Sequence, residues 1–345
     1  MSRIYVGMSG GVDSSLAAAL LVEQGHEVTG VYMKNWTQDL PGMKCPWADD
    51  LADAKRVAVQ LGIDFKVFDF EADYKQKVVE YMIDEYKNGR TPNPDIMCNQ
   101  EVKFKLFLEA ALQDGAEMIA TGHYARVESS ALKQAIDTNK DQTYFLYRVT
   151  GEALGKTLFP LGEFTKPQVR EMATARGLYT AGKKDSQGIC FVGKVGIREF
   201  LGMYVEQSPG AIIDKKSGTL LGHHDGAIFY TLGQRHGLEL GGGLPYYVVG
   251  KDMEKNEVYV TTDLNDGSLW KNDVTLASVH WINDAPHEGE YDIRVRHRAA
   301  LVKARLHYSA DGAQLQLIDA ERAVAPGQSV VLYDGDVCLG GVIII

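Results

Sequence analysis

The 345-residue sequence has only four cysteines, Cys45, Cys98, Cys190 and Cys338, spaced so widely that neither a disulfide framework nor a CxxC metal site can be read from them. Long hydrophobic runs are missing too. Leu16 to Val22 is typical of its apolar stretches, far short of the roughly 20 residues that cross a bilayer. No charged segment leads into an apolar one at the start, where RIYVGM begins at Arg3, so a cytoplasmic location is expected. Positive charge is not in excess. With 36 Lys and Arg against 46 Asp and Glu the net charge is -10, which weighs against a generally basic nucleic-acid binder but leaves room for a local basic patch. Neither G-x-x-x-x-G-K-[ST] nor a dinucleotide G-x-G-x-x-G is present at the first strand-to-helix turn, so the chain is not a Walker-type NTPase.

What is present is a globular composition, 45% hydrophobic and 24% charged, long enough for two or three domains. Up to about residue 180, short apolar runs alternate with helical ones: IYVGM, VDSSLAAALLVEQG, EVTGVYM, DDLADAKRVAVQLG, FKVFDF. This reads as βαβ units on a parallel sheet, with Gly25 and Gly62 ending helices. Helices are expected over Lys103–Gln113 and Lys166–Arg176, the second with Pro167 in its first turn. Beyond about residue 208 the pattern becomes short strands split by Gly and Asp: AIIDKKSGTLLG, GAIFYTLGQ, PYYVVGKD, NEVYVTT. Asp273–His280, Tyr291–Arg298, Leu301–Tyr308, Ala313–Ile318 and Ser329–Tyr333 then read as a small barrel. The fold class is therefore α/β: a parallel-sheet domain over residues 1–200, a central mainly β domain over 201–267 and a β-barrel over 268–345.

Between the first strand and helix lies Ser9-Gly10-Gly11-Val12-Asp13-Ser14-Ser15. Backbone N–H groups and the positive end of the helix converge there, the arrangement that binds phosphate. Gly10 and Gly11 allow close approach, the serines offer hydroxyls, and Asp13 either orients the loop or holds magnesium. Two cysteines also stand in loop-like surroundings. Cys98 follows GRTPNPDIM close to an expected helix start, where the dipole lowers a thiol pKa. Cys190 lies in KKDSQGICF, where Lys183 and Lys184 favour the thiolate. Each is either a reactive thiol or a small buried hydrophobe, the reading preferred for Cys45 and Cys338.

SGGVDS resembles the loop of the PP-loop ATP pyrophosphatases, which cleave ATP between the α- and β-phosphates; the resemblance implies adenylation of a carbonyl oxygen. Together with GRTPNPDIMCN, KF, ATGHYAR, KDQTYFL, KDSQGICFVG and YTLGQRHGL, spread over nearly the whole chain, it resembles the tRNA-specific 2-thiouridylases, which thiolate the wobble uridine of tRNA. Gln187 stands where that family commonly has Thr, CLGGVIII lacks a third glycine, and VGKVGIREFLGMY departs from the common form.

The resemblance implies a PP-loop domain that binds ATP, with magnesium, through Gly7, Met8, Ser9, Gly10, Gly11, Val12, Asp13, Ser14, Met33 and Gly122. It implies that Cys190 carries a persulfide sulfur, that Cys98 releases it by closing a disulfide, and that Asp95 is the acid/base. Asn93, Pro94 and Asp95 match the segment on the target base; His123, Lys140, Asp141, Gln142, Arg296, His297 and Gln328 match tRNA contacts. A sulfur donor, either a cysteine desulfurase or a relay carrier, is a further implied partner. On residues alone, His123 reads as a polar surface residue and Lys140–Gln142 as a charged turn. IRVRHRAALVKARLHY gathers Arg294, Arg296, Arg298, Lys303 and Arg305, either a phosphate-binding face or an ordinary charged one. Rival readings are an ATP-dependent amidotransferase or ligase, which does not account for two loop cysteines, and a non-catalytic ATP- or RNA-binding module.

Overall fold

The computed structural model describes residues 1–40, 44–184, 196–241, 243–274, 276–309, 312–322 and 324–345. Cys190 lies outside the described residues. Strand β1 (Arg3–Gly7) leads into helix α1 (Val12–Glu23), β2 (Glu27–Lys34), helix α2 (Trp47–Leu61) and β3 (Asp64–Asp69); β4 (Met118–Thr121) follows after a helical excursion. A hairpin, β5 (Ala125–Glu128) and β6 (Ala131–Gln134), precedes the short β7 (Thr157–Leu158). The first sheet is parallel, in the order β3-β2-β1-β4-β7. Its central strand is buried from Ile4 to Gly7, as a sheet covered by helices on both faces requires. Gly62 ends α2 in the left-handed region at φ 66°, as its position in the sequence indicated.

The chain winds to one side of β1 through β2 and β3, then returns to the other side as β4. The crevice therefore opens at the carboxyl ends of β1 and β4, the place where open α/β sheets bind ligands. Gly7 pairs with Val31 on one side and Thr121 on the other, so the loops after β1 and β4 leave the sheet together.

The central sheet is built from β8 (Gly210–Asp214), β9 (Leu220–His224), β10 (Tyr247–Asp252) and β11 (Glu257–Thr261), in the order β10-β11-β8-β9. GAIFYTLGQ, expected as a strand, is instead a 3-10 turn at Ala227–Phe229 followed by irregular chain. Ala227, Ile228, Phe229 and Tyr230 are all buried, so its apolar run plugs the interface with the helical layer without pairing. The third part comprises β12 (Trp270–Val274), β13 (Leu276–Trp281), β14 (Gly289–Arg294), β15 (Val302–Ser309), β16 (Gly312–Arg322), β17 (Ser329–Asp334) and β18 (Val337–Ile344). What reads as one strand over Asp273–His280 is two, because β12 pairs with β16 and β13 with β18.

Hairpin β5–β6 leaves the first domain and joins this sheet through β18, where Val337 faces Lys133 and Cys338 faces Leu132. One buried cluster accordingly runs through all three parts, with Phe107, Tyr147, Val248, Val258, Tyr333 and Cys338 in it. No helix among the described residues is long and apolar enough to cross a membrane.

Candidate active site

Gly10 has φ 74°, and a Cβ there would stand 2.3 Å from the Asp50 carbonyl oxygen. Only glycine fits, so the loop passes flat under the start of α2. Gly122, after β4, is equally constrained: a Cβ would lie 2.6 Å from the Ser14 amide. The serines brace the loop from within. Ser14 Oγ accepts from the Ser9 amide at 3.1 Å, and Ser15 Oγ donates to the Gly11 carbonyl at 2.7 Å. The first-turn amides of α1 have no helical carbonyl to donate to and face the crevice's mouth. Among the expected nucleotide residues the side chains of Met8 and Val12 are buried in the core, while the glycines and serines shape the loop. Met33 sits at the crevice floor, its Cε 2.9 Å from where a Cβ on Gly7 would be.

Of its two expected roles, Asp13 takes the orienting one. Lys166 Nζ donates to both its carboxylate oxygens, at 2.7 and 2.8 Å, and Tyr124 Oη donates at 2.9 Å. Sequence reading missed Lys166 because it is 153 residues away; Tyr124, at least, stands inside the ATGHYAR motif. No group of three or more His, Cys, Asp or Glu that could hold a metal occurs among the described residues. Gly10→Ala is expected to reduce ATP-dependent pyrophosphate release by about a hundredfold or more, the scale of losing a preorganised oxyanion contact. Release measured with unmodified RNA substrate checks it.

The helix bearing Cys98 begins at Pro94, upstream of the expected Lys103. Asn93 Oδ1 accepts from the Asp95 amide at 3.1 Å and Pro94 occupies the first turn, the capping chemistry that starts a helix. Pro94–Met97 then passes into a π-helical stretch, Cys98–Leu106, a form that recurs at functional sites. Cys98 ends the first turn and is buried at 2% exposure. Asn99 beside it is buried as well, its Nδ2 donating to the Phe145 carbonyl at 3.1 Å while its Oδ1 has no partner among the described residues. Burial pushes the Asp95 carboxyl above the usual carboxylate range, partly offset by Lys103.

Lys103 also bears on His123. That imidazole is held far below its ordinary pKa, first by burial and then by Lys103. It packs among Phe104 and Phe159, ring centroids 5.6 and 6.1 Å away, and its Nδ1 is 2.7 Å from Thr121 Oγ1. It is thus a neutral ring at the end of β4 and part of an aromatic wall, unlike the free surface residue its type suggests.

Three further expected tRNA contacts lie together on the segment after the β5–β6 hairpin, and two of them make bonds within the fold. Asp141 is buried and accepts from the Ala135 amide (3.1 Å), Thr143 Oγ1 (2.7 Å) and Arg294 (3.1 Å). Gln142 brackets Tyr124, its Oε1 accepting from the Tyr124 amide at 2.8 Å and its own amide donating to the Tyr124 carbonyl at 2.9 Å. Lys140 lies on the turn from Asp137 and is half-buried.

The basic face expected over 294–305 is smaller than the sequence suggested. Strand β14 ends at Arg294, which is buried, while Lys303 and Arg305 pair across the strands with Asp292 (3.0 Å) and Glu290 (3.9 Å). Arg296 and Arg298 remain exposed, with no ion pair among the described residues, Arg298 turning at φ 63°. Between them, the His297 ring lies tilted against Phe145 with centroids 4.4 Å apart; burial and the charges of Arg298 and Arg294 lower its pKa to about 4. Gln328 lies half-buried at the same end, its carbonyl accepting from the Ile344 amide at 2.9 Å.

Lys183, expected to favour a thiolate at Cys190, is committed elsewhere: its Nζ donates to Asp50 and Asp53, each at 2.7 Å. The described chain resumes at Gly196, and Phe200 then packs on Trp36 just past β2 at 6.2 Å. Both flanks of residues 185–195 are therefore anchored on the crevice side of the sheet. Cys338 is buried and its thiol is pushed up by burial; Cys45, partly exposed, is raised for the same reason.

A parallel sheet with this switch point, a glycine-serine phosphate cradle and two β domains defines a nucleotide-binding α/β protein of the HUP class. Family models match in the same succession: a tRNA methyl transferase HUP domain over residues 2–194, a tRNA methyl transferase PRC-barrel domain over 198–262 and an aminomethyltransferase beta-barrel domain over 271–344. Curated proteins named tRNA-specific 2-thiouridylase MnmA, from Bacillus cytotoxicus, Bacillus subtilis and Geobacillus thermodenitrificans, are each 46% identical, with 99% of this chain and 94% of theirs covered. The chain belongs to the tRNA-specific 2-thiouridylase family.

Proposed function

We propose that this protein is an ATP-dependent tRNA sulfurtransferase that converts the 2-oxygen of wobble uridine to sulfur in the tRNAs for Lys, Glu and Gln. The observation that carries this is the pairing of the phosphate cradle with the Asn93–Cys98 helix start in a chain 46% identical to named 2-thiouridylases along nearly its whole length. The uridine 2-oxygen attacks the α-phosphate of ATP and pyrophosphate leaves. The terminal sulfur of a Cys190 persulfide attacks C2, and AMP departs with the former 2-oxygen. The Cys98 thiolate then attacks the Cys190 sulfur, forming a disulfide and leaving sulfur on C2. An external thiol must reduce that disulfide, and a desulfurase or relay carrier must reload Cys190. The anchoring of Lys183 and Phe200 supports delivery of the Cys190 segment from the crevice side.

Asp95 is the acid/base in this scheme, and burial suits it, since a raised carboxyl holds and yields a proton nearer neutral pH. Its raised folded-state pKa contributes stability that is present below the ordinary carboxylate pKa and lost as pH rises through the folded value. Asp95→Asn is thus expected to slow thiolation about a hundredfold or more, yet to raise the melting temperature at neutral pH and leave it nearly unchanged at acid pH. A variant less stable at pH 7 would contradict this.

For tRNA, the uncommitted guanidinium groups of Arg296 and Arg298 are the best phosphate contacts at the barrel end. Replacing both with alanine should weaken tRNA binding and reduce the slope of log affinity against log salt by about 2. Filter binding across a salt series measures both. The direct test of the function is to incubate protein, ATP, magnesium, a persulfide source and unmodified tRNA, then to digest and look for 2-thiouridine at the wobble position. Sulfur elsewhere, or none, defeats the proposal.

A further inference from the structure

A cavity of about 540 Å³ opens where all three parts of the chain meet, and none of its lining residues belongs to the phosphate loop or the Cys98 helix. Gly89 and Thr91 come from the first domain, Lys215 and Lys251 from the central one, and Pro326 from the barrel. Lys251, on β10, is the unusual member. Its stem passes over Gly89, where a Cβ would stand 3.7 Å from Lys251 Cε and 2.9 Å from Met253 Cγ. Its ammonium donates to the Tyr230 carbonyl at 2.8 Å, leaving two of its three donors without a partner among the described residues. Burial lowers its pKa to about 8, and no ion pair with a carboxylate side chain offsets this among the described residues. At the exposed mouth, Lys215 reaches Ser268 Oγ; Asp266 lies near enough to feel its charge without pairing with it.

A partly buried cation without a counter-ion is costly unless an anion completes it. The cavity's volume is in the range of small-molecule sites, and Leu232, Val248, Val249 and Val324 line it with apolar side chains beside the polar groups of Thr91 and Ser268. We propose that this cavity is a second, non-catalytic site for a small molecule bearing an oxyanion, with Lys251 as the inner cation and Lys215 as the outer one.

Its walls also clamp the head of the segment that ends in Asp95 and Cys98. The Thr91 amide donates to the Pro326 carbonyl at 2.7 Å, Thr91 Oγ1 lies 3.1 Å from Thr231 Oγ1, and a Cβ on Gly327 would be 2.6 Å from the Thr91 amide. An occupant would therefore restrain residues 89–98 through their upstream end, which makes the site a means of regulating the active segment.

Competitive amine labelling of the full-length protein, read by mass spectrometry at each lysine, tests this. Probes are inorganic phosphate and AMP, with chloride at equal ionic strength as control. Occupancy should raise the Lys251 pKa by a unit or more, so that labelling below pH 8 slows by about tenfold. Protection by AMP at lower concentration than phosphate assigns a nucleotide-sized ligand; equal protection assigns the anion alone. Gly10→Ala protein should show the same protection, separating this site from the phosphate loop. Lys215→Met should weaken protection of Lys251, and Lys251→Met should abolish protection of Lys215; the first variant suffices if the second does not fold. Hydrogen exchange over residues 89–98 should slow with the probe in the unsubstituted protein. Unprotected Lys251 in a folded protein, or protection matched by chloride, overturns the proposal.

Discussion

Cys190→Ser is expected to abolish 2-thiouridine formation, by more than about a thousandfold, while tRNA-dependent pyrophosphate release continues. The proposed chemistry separates into an ATP half, carried out at the Ser9–Ser15 cradle, and a sulfur half, which needs a thiol that can hold a second sulfur. A serine hydroxyl cannot accept a persulfide, so the second half has no entry, yet nothing in the cradle is touched. Cys98→Ser divides the sulfur half further: attack on C2 proceeds, and the product remains tethered to Cys190 because no thiolate resolves the disulfide-like adduct. Mass spectrometry should find RNA covalently attached to Cys98→Ser protein, releasable by added thiol, and none attached to the Cys190→Ser protein. Loss of pyrophosphate release in Cys190→Ser would place Cys190 in the ATP half and sink the assignment. The 2% exposure of Cys98 adds a kinetic expectation, since a thiol so covered should react slowly with alkylating agents until tRNA is present.

The second large effect concerns stability. Asp141 and Arg294 form a pair whose side chains are 1% and 10% exposed, bridging the first domain to the barrel, and Thr143 adds its hydroxyl to the same carboxylate. Removing one partner strands a buried charge. Asp141→Ala or Arg294→Ala is each expected to cost about 3–5 kcal/mol, while replacing both with apolar residues of similar volume should recover most of that. Urea melts of the two single variants and the double variant provide the cycle. Because His297 and Phe145 pack together beside this pair, the single variants should also weaken tRNA binding, whereas the double variant should bind more nearly as the parent does.

Much of this was legible in the sequence, and the exceptions have physical causes. Local signals were reliable: Gly62 as a left-handed cap, Pro167 in a first turn, and the glycines of the phosphate loop all act through the backbone of their own neighbourhood. The helix expected from Lys103 starts earlier, at Pro94, because Asn93 caps it and Pro94 fits its first turn, an Asn-Pro signal that the reading of GRTPNPDIM as a loop passed over. GAIFYTLGQ has the composition of a strand, but its apolar side chains found burial without a pairing partner. The basic run after Tyr291 looked like one charged face because charge was counted without its cross-strand partners. Asp292 and Glu290 neutralise two members, and Asp141 captures a third.

The sequence by itself determined the parallel-sheet start, the glycine-serine loop after β1, the shift to β structure and the family, since these rest on short-range periodicity, backbone freedom and motifs read in order. Only the tertiary structure decided that Lys166 fixes Asp13, that Lys183 is spent on α2, that hairpin β5–β6 joins the barrel, and that Lys251 faces a shared cavity. Each of these joins residues far apart in the chain, and an ion pair or a cavity exists only once packing has placed its members a few ångströms apart and removed the water between them.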